Sequence, residues 1–171
     1  MDAYLTIVSK REVRSYSDRP IETASLRRIL DAARVAGSSS NKQEWRFFLV
    51  ESAEKRERLA DLVYVSGNVR AANLIVVVAV PAGSVRGFYD AGRTSQNMML
   101  AAWNEGIGSC PNGTPDPAAV GELLGLEAGE EPAIILTFGY PARPVDPESR
   151  SPEEWIERAN RKPFDEVVKS V

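Results

Sequence analysis

An unbroken apolar run over residues 98–103 lies in a longer segment, residues 90–105, whose pattern predicts a helix of about four turns. Asp90 is a favourable N-cap residue, and Gly106 is placed to end the helix in the left-handed conformation. Residues 94–104 carry no charge, and apolar side chains over residues 98–103 cover every side of the helix. A helix that is apolar on all sides must be buried on all sides. We therefore expect a second subunit to cover one side, and the core of a monomer is the alternative.

Other segments have the residue spacing or the capping residues of helices. Residues 23–36 place apolar side chains on one face, and Gly37 follows them. Asp2 and Ser52 are suitable N-caps, and Asp116 followed by proline is a strong helix start. A capping box opens at Ser151. The predicted helices are residues 3–8, 23–36, 53–63 and 117–124, with a short one from residue 152.

Three apolar runs predict strands over residues 46–50, 74–80 and 133–139. The second run has no polar alternation, which is typical of a strand covered on both faces. The Val-rich end after Phe164 is also strand-like. Buried strands interleaved with helices predict one α+β or α/β domain over residues 1–171.

Composition excludes several kinds of chemistry. The net charge of −3 argues against general nucleic-acid binding. The chain has no histidine, which removes His-based catalytic triads and most zinc sites, so we expect no metal. The single cysteine, Cys110, suits a reducing cytoplasm. We expect a cytoplasmic protein without a membrane partner, because no apolar run is long enough to span a bilayer and the first residues lack a signal-peptide core.

Three segments could carry chemistry. Lys10, Arg11 and Arg14 form either a solvated basic turn or an anion site. Residues 38–45 form either an ordinary polar loop or a set of side chains presented between a helix and a strand. Residues 106–113 are predicted as a turn-rich run with backbone groups free to meet a ligand.

Taken in order, these segments resemble the nitroreductase family of FMN-dependent oxidoreductases. The matching runs are KREVRSY, GSSSNKQEWRFFLV, DAGRTSQNMMLAAWNEGIGSCPNG and RKPFDEVV. The second and third runs are the most specific, and the resemblance covers nearly the whole chain. It implies a nitroreductase-like α+β fold with a central mixed, largely antiparallel sheet flanked by helices, in an intertwined homodimer.

The resemblance also implies a cofactor site. The family's Arg-Arg-Ser-x-Arg run binds FMN phosphate and ribityl, and it falls here on Lys10, Arg11, Glu12 and Arg14. Glu12 stands where the family usually has Ser, so its backbone is the better candidate for a contact. Arg161 and Lys162 match a cation near the end of the chain that completes the phosphate site.

Two further loops of the family have counterparts here. A loop that reaches the flavin across the dimer interface falls on Gly37, Ser38, Ser39, Asn41, Gln43 and Trp45. Gly37 and Glu44 replace two prolines of the family pattern, which should loosen this loop. The turn that presents backbone N–H groups to the flavin ring falls on Pro111, Asn112 and Gly113. The link over residues 81–89 is shorter than in many relatives, so the site should be open or differently lidded.

The implied function is a homodimeric FMN oxidoreductase that transfers hydride from NADH or NADPH to flavin N5 in a ping-pong cycle. The acceptor would be a nitroaromatic, a quinone or another small electron-poor molecule, and no catalytic side chain is assigned. Within the family, dehalogenation, azoline oxidation and flavin fragmentation are alternatives. A flavin-binding redox sensor or store is another, and Glu12 lends some weight to a flavin-free interaction protein.

Overall fold

The computed structural model describes residues 1–171, which divide into two compact units. One unit is Arg11–Val145, and the other combines Met1–Lys10 with Asp146–Val171. Short 3-10 turns occur at Ser39–Asn41 and Pro147–Ser149. The single domain proposed for residues 1–171 stays a prediction. In chain order the elements are α1 (Ala3–Ser9), α2 (Thr23–Arg34), β1 (Arg46–Leu49), α3 (Ala53–Asp61), α4 (Ser66–Ala71), β2 (Leu74–Pro81), α5 (Val85–Asn104), β3 (Gly108–Asn112), α6 (Pro117–Leu124), β4 (Glu130–Gly139), α7 (Pro152–Arg158) and α8 (Phe164–Val167).

The larger unit is built on a four-stranded sheet in the order β1-β2-β4-β3, and every neighbouring pair is antiparallel. Val77 of β2 pairs with Phe48 on one side and with Ile135 on the other, and Asn112 pairs with Ile135 from the far edge. A parallel bridge joins Glu12 to Ser109 outside the named strands. The predicted α+β class with a largely antiparallel sheet is therefore confirmed.

Both faces of β2 are covered, as its uninterrupted apolar run predicts. Val76, Val78 and Val80 belong to a core cluster with residues of α2 and α5. Ile75 and Val77 point the other way and join a second cluster with residues of α3, α4 and α6. The six residues from Ile75 to Val80 are at most 1% exposed. A strand with helices on both sides gains nothing from polar alternation.

The central helix α5 begins earlier than the sequence suggested. Ser84 is its N-cap, and the Ser84 hydroxyl accepts a hydrogen bond from the Gly87 N–H at 3.0 Å. The prediction that Asp90 caps this helix is wrong, because Asp90 lies inside it. The apolar residues Val85, Phe88 and Tyr89 of the first turns are exposed. They therefore do not follow the spacing of a buried helix face, and the sequence pattern did not indicate a helix there. The link from β2 is correspondingly reduced to residues 82–84.

Most of the apolar surface of α5 is covered within the chain. Met98, Met99, Ala102 and Trp103 are buried, whereas Leu100 and Ala101 are half-buried. Four of these six residues are thus buried by the core of a single chain. Their apolar character is therefore no evidence for a second subunit. Gly106 ends the helix region with a φ of +74°, as predicted.

The turn-rich run predicted after α5 is instead the edge strand β3 over most of its length, which corrects that prediction. Ser109, Cys110 and Asn112 are buried, and the strand pairs with β4 from Gly108 to Asn112. Gly and Pro are depleted in strands, which is why the sequence favoured a turn. Proline is tolerated here because β3 is an edge strand.

Side chains cap two helices of the smaller unit, α1 and α7. The Asp2 carboxylate accepts from the Leu5 N–H at 2.9 Å, and the capping box of Ser151 and Glu154 is present. Trp155 is buried, and its indole N–H donates to the Pro147 carbonyl at 2.8 Å. The strand-like end predicted after Phe164 is wrong, because Phe164–Val167 forms the short helix α8. Acidic residues in its first turn and Pro163 before it favour helix over an unpaired strand.

Candidate functional site

The outer edge of β3 is covered at both ends and exposed between them. At one end the Val13 N–H donates to the Ser109 carbonyl at 2.9 Å. At the other end the Tyr64 N–H donates to the Gly113 carbonyl at 3.2 Å. Pro111 lies between these two contacts and is exposed. A ligand at Pro111 would thus have the basic segment of residues 11–14 on one side and Tyr64 on the other.

Two glycines permit this close packing. A Cβ on Gly108 would lie 2.6 Å from Val13 Cβ, so only glycine lets the basic segment approach the strand. A Cβ on Gly113 would lie 3.3 Å from the ring of Tyr64, which is itself 72% exposed. The family-matched Gly113 therefore faces an aromatic side chain that the sequence comparison did not single out.

A buried polar network lies behind Pro111. Asn112 is 4% exposed, and its Oδ1 accepts from Asn68 Nδ2 at 2.8 Å. Its Nδ2 donates to the Cys110 carbonyl at 2.9 Å and to Thr137 Oγ1 at 3.2 Å. The Asn112 side chain thus points into the protein. Pro111 has no N–H, and Asn112 pairs with Ile135 of β4, so Gly113 is left as the candidate backbone N–H donor to a ligand at this edge.

The network extends to the basic segment through Thr137 and Tyr16. Thr137 Oγ1 donates to the Cys110 carbonyl at 3.1 Å and lies 3.0 Å from the Tyr16 hydroxyl. That hydroxyl donates to the Val13 carbonyl at 2.7 Å. Burial raises the pKa of Tyr16 far above its ordinary value, so the phenol stays neutral and keeps its proton. The chain that holds Arg11 and Arg14 is therefore fixed to the same network as Asn112.

Two arginines lie close together at the basic segment of residues 11–14. Arg14 and Arg143 line one cavity of about 410 Å³ together with Glu12. The cavity walls are held by pairing of the segments around Ser15 and Ala142, whose N–H donates to the Ser15 carbonyl at 2.9 Å. Lys10, Arg161 and Lys162 belong to the smaller unit, so the phosphate site that would join all these cations stays a prediction. Arg143 was missed because it lies in a proline-rich stretch without a motif.

The Ser-rich loop is a second cluster. The Ser39 N–H donates to Asp90 Oδ2 at 2.9 Å, and the Gln43 N–H donates to Ser38 Oγ at 3.0 Å. Ser40, Asn41 and Gln43 all have a φ near +54°, at 54°, 54° and 53°. Three non-glycine residues in the left-handed region are uncommon in one loop, and such strain concentrates at functional sites. Trp45, at the end of the loop, is buried against the core.

Asp90 and Arg93 of α5 lie against the Ser-rich loop. The Arg93 guanidinium lies in the space that a Cβ on Gly37 would occupy. Asp90 is 6% exposed, accepts from Ser39, and lies 3.6 Å from Arg93 Nη1. The expectation of a looser loop stays a prediction. Sequence reasoning missed the role of Asp90 because it assigned that residue to a helix cap.

One chain does not bring the two clusters together. The Ser-rich loop leads into β1 at one edge of the sheet, whereas Pro111–Gly113 lies at β3 on the other edge. Strands β2 and β4 stand between them. With neighbouring strands roughly 4.8 Å apart, the two edges are separated by about 14 Å.

The structure also contains neither a group of three or more potential metal-ligating His, Cys, Asp or Glu residues nor a helix long and apolar enough to cross a membrane.

The chain is similar in sequence and structure to known oxidoreductases. The sequence model of the nitroreductase family matches residues 7–76 and 66–140. A protein of Archaeoglobus fulgidus, predicted to be an NADH dehydrogenase/NAD(P)H nitroreductase, is 32% identical over 145 residues, which cover 79% of this chain and 83% of that protein.

Two solved structures share the fold. The NADPH:FMN oxidoreductase of Vibrio harveyi, complexed with NAD⁺, has a TM-score of 0.83 at 25% identity and covers 96% of this chain and 75% of its own. A nitroreductase-like protein of Desulfovibrio desulfuricans in complex with FMN has a TM-score of 0.83 at 25% identity, covering 100% and 98%. The chain belongs to the nitroreductase family.

The close approach at Gly108 can be tested by substitution. Gly108→Ala should lower the free energy of unfolding by about 1–3 kcal/mol, because the new methyl overlaps Val13 in a packed region. Urea denaturation measures this. Gly67→Ala is the matched control, since nothing lies within 4 Å of its Cβ position and alanine suits a helix. Unchanged stability of Gly108→Ala would contradict the packing of residues 11–16 against β3.

Proposed function

We propose that the protein is an FMN-dependent oxidoreductase that takes hydride from NADH or NADPH and reduces a small electron-poor acceptor. Nitroaromatics and quinones are the acceptor classes that we favour. The single observation that carries this proposal is the edge of β3, where a basic segment and a backbone donor meet beside one exposed gap. The family and the flavin complexes of its members make FMN the cofactor to test first.

The residues at this edge suit FMN. A phosphate group carries about two negative charges and is best bound by arginine, and Arg11 and Arg14 belong to the segment that Ser109 holds. The backbone N–H of Gly113, just beyond the end of β3, is suited to the polar edge of the isoalloxazine ring. The Tyr16–Thr137–Asn112 network keeps both parts in register.

Bound FMN supplies the hydride chemistry, which no side chain of this protein offers. The protein's own part is to bind and orient the cofactor and to place hydrogen-bond donors where charge develops during reduction. We assign no general acid, because no histidine is present and Tyr16 is locked in the neutral form by burial. A reducing cytoplasm suits the buried free thiol of Cys110.

We further propose that two copies of the chain build each site. The Ser-rich loop with Gly37, Ser38, Ser39, Asn41 and Gln43 lies at the opposite edge of the sheet from Pro111, so its natural target is the site of a partner. An uncovered stripe on α5 supports a self-association surface. Its members are Val85, Phe88, Tyr89, Gly92 and Gln96, all exposed in the single chain. Exposed aromatic residues on a core helix are typical of interfaces.

The function is tested by the colour and redox behaviour of the purified protein. We expect a flavin absorption band that stays with the protein through gel filtration, either as purified or after addition of FMN. NADH or NADPH should bleach this band, and a nitroarene or quinone should restore it over many cycles. Protein that binds neither FMN nor FAD would refute the proposal. Bound flavin that no nicotinamide donor bleaches would favour a flavin store instead.

Arg11→Ala should weaken FMN binding by roughly 10- to 150-fold, because loss of a hydrogen bond to a charged group costs about 1.5–3 kcal/mol. Fluorescence titration of the apoprotein measures the Kd. Arg27→Ala is the control, since Arg27 is exposed on α2 and pairs with Asp31 at 2.9 Å. Equal affinities of the Arg11 variant and the wild type would place the phosphate elsewhere.

Tyr89→Glu should abolish dimerisation and FMN binding together, because assembly and a shared site are linked. Tyr89 is 69% exposed in one chain, so the monomer can fold with the new charge. Light scattering gives the mass, and Ala118→Glu adds the same charge on the exposed side of α6 as a control. A stable 18.7 kDa wild-type species with a full complement of FMN would contradict the shared site.

A further inference from the structure

We infer that Asn68 is a positioning residue, whose amide fixes the strand end at Asn112 and Gly113 in the geometry that the cofactor requires. The inference rests on the proposed function for the identity of the ligand, FMN. The structural part of the inference, that the buried Asn68 amide holds the end of β3 in place, does not depend on any ligand. Asn68 lies outside the four sequence runs on which the resemblance to the family was based.

Asn68 reaches Asn112 from a separate element. It lies on the short helix α4, is 4% exposed, and is followed by the fully buried Val69. Val69 anchors α4 in the core cluster that also holds Leu59 and Val63. The Asn68 amide donates to Asn112 Oδ1 at 2.8 Å and lies 3.7 Å from Cys110 Sγ. The donor therefore comes from a packed helix and not from a mobile loop.

The carboxamide of Asn112 has partners on both of its polar atoms. Oδ1 accepts from Asn68, while Nδ2 donates to the Cys110 carbonyl and to Thr137 Oγ1. Partners on both atoms define which way the amide faces, since reversing it would place acceptor against acceptor. Because both polar atoms of its carboxamide are hydrogen-bonded, the side chain of Asn112 also restrains the Asn112 backbone. The following Gly113 has no side chain of its own to fix it.

The need for such a support follows from the position of Pro111–Gly113. β3 is an edge strand that ends at Asn112, so no further ladder pairing restrains the next residues. From outside the strand, the Tyr64 N–H donates to the Gly113 carbonyl at 3.2 Å, and the Thr114 hydroxyl donates to the Leu62 carbonyl at 2.5 Å. A misplacement of donors by about 1 Å can reduce turnover about a hundredfold. Asn68 is the donor that restrains this end from inside the protein.

Asn68→Asp separates hydrogen bonding from space filling. Aspartate has the same shape as asparagine but its ionised carboxylate has no donor, so Asn112 Oδ1 would face an acceptor. Asn68→Ala removes donor and volume together. Asn97→Asp is the matched control, because Asn97 also donates from Nδ2, to the Ala32 carbonyl at 3.1 Å, and lies on α5 away from β3.

The first measurement uses the apoprotein. Hydrogen–deuterium exchange of the peptide covering residues 110–116 should become at least about tenfold faster in Asn68→Asp and Asn68→Ala, while Asn97→Asp exchanges there as the wild type does. Urea denaturation of each variant separates this local effect from global loss of stability. If Asn68→Asp does not fold, Thr137→Val serves instead. It keeps the side-chain volume, removes one of the two acceptors of Asn112 Nδ2, and should accelerate exchange of the same peptide.

The second measurement uses the FMN-loaded protein. Asn68→Asp should shift the flavin absorption band and reduce kcat about tenfold or more, with the Kd for FMN changed less than about threefold. Wild-type exchange and a wild-type kcat in Asn68→Asp, with Asn68→Ala impaired, would show that Asn68 only fills space and would overturn the inference. If the wild-type protein binds no FMN, the proposed function fails, and the exchange data alone decide the role of Asn68.

Discussion

The antiparallel pairing of β2 with β4 is the constraint on which the larger unit depends. Both strands are interior to the sheet, and β2 is buried on both faces by helices. Because these strands occupy the middle, β1 and β3 are forced to the two edges. The Ser-rich loop and the Pro111–Gly113 segment therefore end up far apart in one chain. The architecture that stabilises the monomer is thus the same feature that favours a site completed by a second copy.

Polar groups near β3 are used mainly to build the site and not to contact a ligand. Asn112, Thr137 and Tyr16 satisfy one another and backbone carbonyls in the interior. Buried amides and hydroxyls of this kind are costly unless every partner is present, and a complete set specifies one arrangement. What is left for a ligand at this edge is backbone and arginine. These groups suit a flat ring and a phosphate, as we propose for FMN.

The sequence predicted the elements whose signals are local. Apolar runs located β1, β2 and β4, and capping residues located α1, α3, α6 and α7. It failed where tertiary pairing overrides propensity: Gly108 and Pro111 read as turn residues, yet they lie in a strand because β4 and the segment around Val13 pair with it. It also failed at Asn68 and Asp90. Their partners, Asn112 and Ser39, are 44 and 51 residues distant in sequence, and no periodic pattern encodes such pairs.

Glu12 shows how a departure from a family pattern can leave the course of the backbone unchanged. The structure pairs Glu12 with Ser109 through a backbone bridge, and the next residue, Val13, donates its N–H to the Ser109 carbonyl. Backbone pairing of this kind is available to any residue except proline at a donor position. Replacing serine by glutamate therefore keeps the course of the chain beside β3. What changes is the local charge, because one carboxylate now stands beside Arg14 in the cavity that Arg143 also lines. Arg143 restores a positive balance there, with two cations against one anion. A phosphate site can hence persist without the family's serine, provided that the arginines and not the side chain at position 12 supply its binding energy.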